Sequence, residues 1–317
     1  MQKKNISAKK YFISDGVEIS ESARINCDEL HIGRKVVIGD RVNINCKGKV
    51  YIDDCVYLSH DVSIASKSAI IGEYTKIHNH TSIYGPNSIF IGHNCWIGQN
   101  CVLNTQEKLT LGNGVGIGTY SSVWTHGFFG ELIEGANFNV IEPVVLEDNS
   151  WLFGSNNVVF PGVTLGEKSV VISPSTVTKS VPANRVFAGS PARDITEKIG
   201  PAYTAIDKKK KIDVLIKVLL GTLKEKNITF SFNNLEIKID GMGEIWFDLL
   251  DKNLVSKFSD VDKDLVVFID KVENWDVRDN VSLFCLSSKK YKKQFTNLEI
   301  LVRQSLNVVA ARFNPFV

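Results

Sequence analysis

Aliphatic residues recur every six positions across residues 19–177, and that spacing excludes most folds open to a chain of 317 residues. Three interleaved series carry it. The first is Ile32, Ile52, Ile71, Ile91, Leu111, Leu146 and Leu165. Six residues later come Ile38, Leu58, Ile77, Ile97, Ile117, Leu152 and Val171, and six later again Ile44, Ile64, Ile83, Leu103, Val123, Val158 and Val177. After most third members the chain spends seven or eight residues before restarting, so the surplus falls at one corner. An amphipathic helix would need spacings of three and four, and ordinary strands would alternate without a six-residue frame. A chain with three short strands per turn satisfies the pattern.

Two further regularities support that reading. Two residues before each aliphatic position stands a small or β-branched residue, as at Val36, Val62, Ala69, Thr75, Cys95, Cys101, Ser121 and Ser169. Glycine often follows, as at Gly33, Gly72, Gly92, Gly98 and Gly118. The large residue fills the axis of a prism, the small one fits its corner, and glycine permits a tight turn.

The pattern [LIV]-G-x-x-[small]-x, in runs such as IGHNCWIGQNCVL and LGNGVGIGTYSSV, resembles the hexapeptide-repeat acyltransferases. The resemblance implies a mainly β fold, a left-handed parallel β-helix, over residues 16–193, preceded by an N-terminal arm at 1–15. Its last coils are similar to those of sugar and xenobiotic O-acetyltransferases, in Trp151, the PGVT at 161–164, the VTK at 177–179 and the AGSPAR at 188–193. Glu147 and Phe153 depart from the pattern by replacing glycines, which puts the local turn shape in question.

One interruption stands out. From Val123 to Leu146 is 23 positions where eight would suffice, so about fifteen residues of the stretch 124–143 leave the coil. Such a loop exposes Phe128, Phe129 and Phe138 unless something covers them. The resemblance implies a homotrimer with the loop walling an active site between subunits, and places the catalytic histidine at His126, in WTHG. Moving an acetyl group from acetyl-CoA to a hydroxyl requires a base, and imidazole suits that task near neutral pH. The sequence leaves open whether Glu131, Glu134, Glu142 or a backbone carbonyl orients the ring.

By the same resemblance, Asn100, Trp124 and Trp151 are candidates to face the acceptor, and Lys179, Arg185 and Arg193 to meet the donor's phosphates. Each has a bland reading beside it: a turn-forming asparagine, coil-capping tryptophans, solvated charges. His60, His78, His80 and His93 raise a metal alternative, but their offsets within the repeat put them on differing faces, so no metal is expected. The six cysteines show no CxxC pair and are expected as reduced, with Cys95 and Cys101 packed as small hydrophobes.

Composition removes other classes. Residues 1–200 hold 18 Lys and Arg against 19 Asp and Glu, and the remainder 19 against 16, so neither half has the basic excess of a nucleic-acid binder. The longest apolar stretch, 214–223, is too short to span a bilayer, and the N-terminus is not a signal peptide, so a cytoplasmic protein without stable membrane insertion is expected.

After Arg193 the hexad stops. Residues 194–211, ending in KKKK, form an expected cap and linker, the lysine run a solvated helix start or a surface for an acidic glycan or membrane. Residues 212–317 form an expected small α+β domain of unknown role, with a helix to about 226, strands at TFSF, LEIKI, EIWFDLL, LVVFI and VSLFCL, and a last helix in LEILVRQSLNVVAARF. The leading functional expectation is an acetyl-CoA-dependent O-acetyltransferase of a carbohydrate in capsule, O-antigen or another bacterial surface glycan. An N-acetyltransferase of a nucleotide-linked amino sugar is the alternative on the same fold. A catalytically silent β-helix scaffold or binding module is the alternative of another class.

Overall fold

The computed structural model describes residues 5–128, 130–137, 139–248, 263–272, 275–308 and 311–316. The chain divides into two compact units, Met1–Thr204 and Ala205–Val317.

In the first unit the three aliphatic series become three vertical stacks. Ile32, Ile52, Ile71, Ile91, Leu111, Leu146 and Leu165 lie directly above one another through parallel pairing of successive coils. The second series stacks in the same way from Ile38 to Val171. All members of both are buried, as are the small residues two positions before them. Three parallel faces therefore enclose one continuous apolar axis. The fold class expected for this unit, a mainly β parallel helix, is the one observed.

The glycines answer to the pitch of the coil. A Cβ on Gly72 would lie 2.6 Å from the Gly92 carbonyl carbon, and one on Gly98 would lie 2.7 Å from the Thr119 nitrogen. Neighbouring coils are a strand spacing apart, which leaves no room for a side chain at that point of the turn. The left-handed conformation falls instead on the residue three before the aliphatic position, as at Asn100 and Tyr120 with φ of 55° and 57°.

The third series differs at one place. Val123 pairs with Val159, not Val158, and Val159 pairs with Val177. Val159 is fully buried while Val158 is half-exposed. The cause lies at Phe153. Elsewhere two residues separate the aliphatic position from the left-handed corner residue, whereas here Phe153, Gly154 and Ser155 precede Asn156, whose φ is 60°. Gly154, at φ 87°, absorbs the extra residue. The other departure, Glu147, leaves its turn regular: Asn149 takes the left-handed position, and the Glu147 carboxylate accepts from the Glu167 N–H at 2.8 Å.

The N-terminal arm expected over residues 1–15 is a second difference. Ile6–Ile13 forms a strand paired in parallel with Arg24–Ile32, so the coil begins earlier than the hexad shows. Its alternation is masked by the exposed Lys9, Lys10, Tyr11 and Phe12, and among the described residues it pairs only with Arg24–Ile32.

The second unit carries a seven-stranded mixed sheet. Its strands Gly243–Asp248, Leu265–Ile269 and Val281–Cys285 run parallel. Helix Lys208–Glu225 starts at Asp207, whose side chain accepts from the Lys210 N–H, so the lysine run is the first turn of the helix. This helix and Asn297–Val308 bury Leu215, Leu219, Leu223, Leu298, Val302 and Leu306 against Ile237, Phe247, Phe268 and Phe284 of the sheet. Leu249, Leu250, Val309 and Ala310, which the sequence reading includes in a strand and a helix, lie outside the described residues.

Candidate active site

The interruption is a β-hairpin. His126–Phe128 pairs antiparallel with Asn139–Ile141, with His126 opposite Ile141. The chain leaves the third face after Val123 and returns when the Val144 N–H donates to the Lys108 carbonyl. Phe129 and Phe138 lie outside the described residues. Phe128, Leu132, Val140 and Ile141 are exposed, and Ile133 at the tip is 93% exposed.

His126 sits where the hairpin departs, half-buried between the rings of Trp124 at 5.8 Å and Phe128 at 5.2 Å. Its Nδ1 lies 2.8 Å from the Oδ1 of Asn104. None of the three glutamates named above is this partner: Glu131 accepts from the Ile133 N–H at 3.2 Å, within the tip. The orienting group is Asn104, on the third face one coil below.

Which way the Asn104 amide points follows from its other bonds. The Gln106 backbone N–H, which can only donate, lies 3.1 Å from the same atom, so that atom is the oxygen. The Thr125 hydroxyl also reaches it at 2.8 Å, and the Asn104 amide nitrogen donates to the Tyr84 carbonyl at 3.4 Å. An acceptor fixed at Oδ1 requires a donor at His126, so the proton is on Nδ1 and the Nε2 lone pair is left for chemistry. Asn104 and Thr125 are both buried, and the Thr125 oxygen accepts from the Glu107 N–H at 2.9 Å. Burial holds the network in one arrangement.

Sequence reasoning overlooked Asn104, although a signal existed. The third series repeats about every 20 residues at this level, which sets residues 104 and 105 beneath 124 and 125.

The other candidates divide by face. Lys179, exposed, stands two residues after Val177, at the corner His126 occupies two coils earlier, which is about 10 Å along the axis. Asn100 occupies the left-handed corner before the third face, whereas Asn104 ends the strand Val102–Asn104 on that face. Trp151 lies on the second face, paired with Gly116 and Val170, and its ring covers the place where a Gly116 side chain would be. Arg185 precedes the second face, its Nε 2.7 Å from Asp194 Oδ2, and exposed Arg193 belongs to the hairpin closing the last coil. Hydrogen bonds from Thr196, then the Arg185 guanidinium, hold the Asp194 carboxyl below its ordinary value. Within one chain the structure brings together Trp124, His126 and Asn104, with Lys179 on the same edge. Asn100, Trp151, Arg185 and Arg193 stand on other edges of the prism.

Cys95 and Cys101 fill inward corner positions, their thiols on the Gly112 and Gly118 carbonyls at 3.1 and 3.2 Å. Burial pushes the Cys101 thiol up to about 11, so it is not a nucleophile at neutral pH. His60 and His93 each accept a backbone N–H at Nδ1, from Asp40 and Glu73, on separate corners. Among the described residues no group of three or more His, Cys, Asp or Glu could hold a metal ion.

No protein-family model matches the chain. It is 47% identical over 55 residues to the galactoside O-acetyltransferase of Escherichia coli, 17% of this chain and 27% of the relative. It is 38% identical over 77 residues to the 2,3,4,5-tetrahydropyridine-2,6-dicarboxylate N-acetyltransferase of Staphylococcus aureus, 24% of this chain and 30% of the relative. A solved UDP-N-acetylglucosamine acyltransferase from Campylobacter jejuni is 17% identical, with 71% of this chain and 88% of that one covered and a TM-score of 0.49. The chain spans less than half the length of the curated relatives it matches.

Proposed function

We infer that this chain, a member of the hexapeptide-repeat acyltransferases by its coil, is an acetyl-CoA-dependent O-acetyltransferase whose acceptor is a carbohydrate hydroxyl and whose general base is His126. The observation that carries the reading is the bond from His126 Nδ1 to Asn104. A histidine whose distal nitrogen is held ready by a buried acceptor suits a base, and it favours an enzyme over a silent scaffold. Similarity to the galactoside O-acetyltransferase supports a sugar acceptor.

In this mechanism His126 Nε2 takes the hydroxyl proton as that oxygen attacks the thioester carbonyl carbon. The tetrahedral intermediate collapses by breaking the carbon–sulfur bond, and His126 returns the proton to the departing sulfur. Asn104 keeps Nδ1 protonated throughout, so the ring presents one nitrogen only. Backbone N–H groups or a side-chain donor would hold the oxyanion. Lys179, on the edge of His126, is placed to meet a donor lying along that edge. The similarity to an N-acetyltransferase supports a second reading with an amine acceptor. The products separate the two, since only an ester is readily cleaved by mild base.

The placement of the remaining candidates supports a site shared between copies. Trp151, Asn100, Arg185 and Arg193 can join His126 only if a second chain presents another face to this edge, and the exposed apolar hairpin offers a contact for one. A homotrimer satisfies both. Among the described residues no helix is long and apolar enough to cross a membrane.

Incubating the chain with acetyl-CoA and a panel of sugars, with thiol release as readout, tests the activity. His126→Ala is expected to lower turnover about 100- to 10,000-fold with fold and assembly intact. Near-normal transfer by that variant would remove His126 from the mechanism.

A further inference from the structure

Two outward columns of side chains stand on the first face of the coil, the face of the first aliphatic series, and the proposed chemistry uses neither. One runs from Phe12 through His31, Tyr51, Ile70, Phe90 and Thr110 to Val145, each paired in register with the next. Phe12, Ile70 and Phe90 are exposed. The rings of Phe12, His31 and Tyr51 stack on one another with centroids 4.9 and 4.4 Å apart, so this end of the column presents chiefly ring edges. Phe90, 41% exposed, stacks on no other ring among the described residues.

The second column stands two residues earlier in each strand, about 7 Å across the face. It begins with Lys10, Glu29 and Lys49, in register with one another. Ser68, Ser88 and Lys108 continue it, since they precede Ala69, Ile89 and Leu109, which stack in turn on Val50. Every member carries a hydrogen-bonding group, and Lys10, Glu29, Lys49 and Lys108 are exposed. Where the two columns begin they wall a cavity of about 270 Å³, with Lys10, Glu29 and Lys49 on one side and Phe12 and His31 on the other. Lys10 meets Glu29 at 3.5 Å, and the Lys49 ammonium reaches to 5.1 Å from the Tyr51 centroid.

The other end of this face lies at the candidate site. Val145 belongs to the turn of coil from which the hairpin bearing His126 departs, and the Lys108 carbonyl receives the Val144 N–H where that hairpin returns. From Phe12 to Val145 are six coil steps, about 29 Å. A face apolar down one side and hydrogen-bonding down the other matches a ligand that repeats both qualities along its length.

We propose that the first face is a track for a linear glycan, which it leads to His126. The proposal rests on the reading of His126 as the base of a carbohydrate acetyltransferase, and makes the acceptor a chain and not a free sugar. Each sugar unit offers C–H groups to residues such as Ile70 and Phe90, and hydroxyls to the lysines and serines beside them. Three lysines against one glutamate in the polar column make an acidic chain the better fit. A second copy of this chain is disfavoured as the occupant: lysine and glutamate are depleted from the cores of protein interfaces, and here lysines stand at both ends of the face.

The test titrates the full chain with labelled fragments of polygalacturonate and hyaluronate as acidic linear probes and of xylan as the neutral one. The acidic probes are expected to bind, about tenfold more tightly as a fragment of about 30 Å than as a disaccharide, and to weaken as salt rises. The Ile70→Ser, Phe90→Ser double variant alters exposed positions only and is expected to lose about tenfold in affinity for the long fragment. The Lys10→Gln, Lys49→Gln, Lys108→Gln triple variant is expected to lose as much, and Phe153→Ser, an exposed aromatic of the second face, to lose nothing. No binding of either acidic probe, affinity independent of length, unchanged affinity in the double variant, or equal binding of xylan would overturn the proposal. A double variant that lowers the oligomeric state in sedimentation would also overturn it, giving the face to a second copy. His126→Ala is expected to bind the fragments normally while losing transfer. Transfer to small sugars without fragment binding sinks the track and leaves the transferase. Fragment binding with no transfer to any sugar sinks the transferase and leaves the track.

Discussion

At the scale of single residues, the base proposed at His126 would depend on Asn104 for its orientation. Replacing it with alanine removes the acceptor for Nδ1–H and frees the ring to rotate or to change tautomer. Asn104→Ala is expected to lower kcat by about 100-fold while KM for acetyl-CoA changes little, because the loss is of orientation. Asn104→Asp keeps an acceptor at the same place and is expected to recover most of that rate. Steady-state kinetics on both variants check it: equal losses in the two would mean the side chain matters for packing alone. The contrast between the two residues shows what a sequence discloses. The position of His126 was legible because it opens a break in a strict period. Asn104 was not, because asparagine is frequent in this coil for another reason, taking the left-handed corner at Asn94, Asn100, Asn149 and Asn156. Only the coil offset distinguishes an asparagine that faces a histidine from one that shapes a turn.

At the scale of the strand, the hexad predicts the stacks so well because each inward side chain is pressed by copies above and below. A shift by one residue would turn an aliphatic side chain out and a polar one in. That rule fixed two series completely and failed at Val158, where an aliphatic pair, Val158 and Val159, let either residue satisfy the pattern. The insertion at Phe153 to Ser155 decides between them, and no local signal in the pair itself could. Val159→Ala is expected to cost about 2 kcal/mol, since it removes two buried methyl groups from the axis, and to lower the thermal unfolding midpoint. Val158→Ala, at a half-exposed outward position, is expected to cost well under half as much. Equal midpoints for the two would contradict the register. The hairpin shows the same limit. Its size was countable from the gap, but its antiparallel pairing follows from contacts between strands that carry no repeat.

At the scale of the molecule, the separation of the candidate residues is itself a prediction about assembly. His126 and Trp124 lie at the corner after the third face, and Trp151 lies on the second face, with the closed prism between them. If Trp151 contributes to the same chemistry, it does so in a site built with the His126 of another copy. Two inactive variants should then rescue each other. His126→Ala supplies intact Trp151, and Trp151→Ala supplies intact His126, so a mixed assembly contains boundaries where both residues are native. Every mixed trimer of the two variants has one native boundary in three, so the purified mixed species is expected to recover transfer to about a third of the wild-type rate. Co-expression with distinct affinity tags, purification of the mixed species and assay of thiol release provide the measurement. Activity no higher than the mean of the separate variants would place Trp151 outside the site, or both residues in one chain's site. The latter requires a reach around the prism that the register of its faces does not allow. Recovery would also explain the hairpin's exposed Phe128, Leu132 and Ile133, which are then the surfaces that hold one copy's histidine against its neighbour's second face.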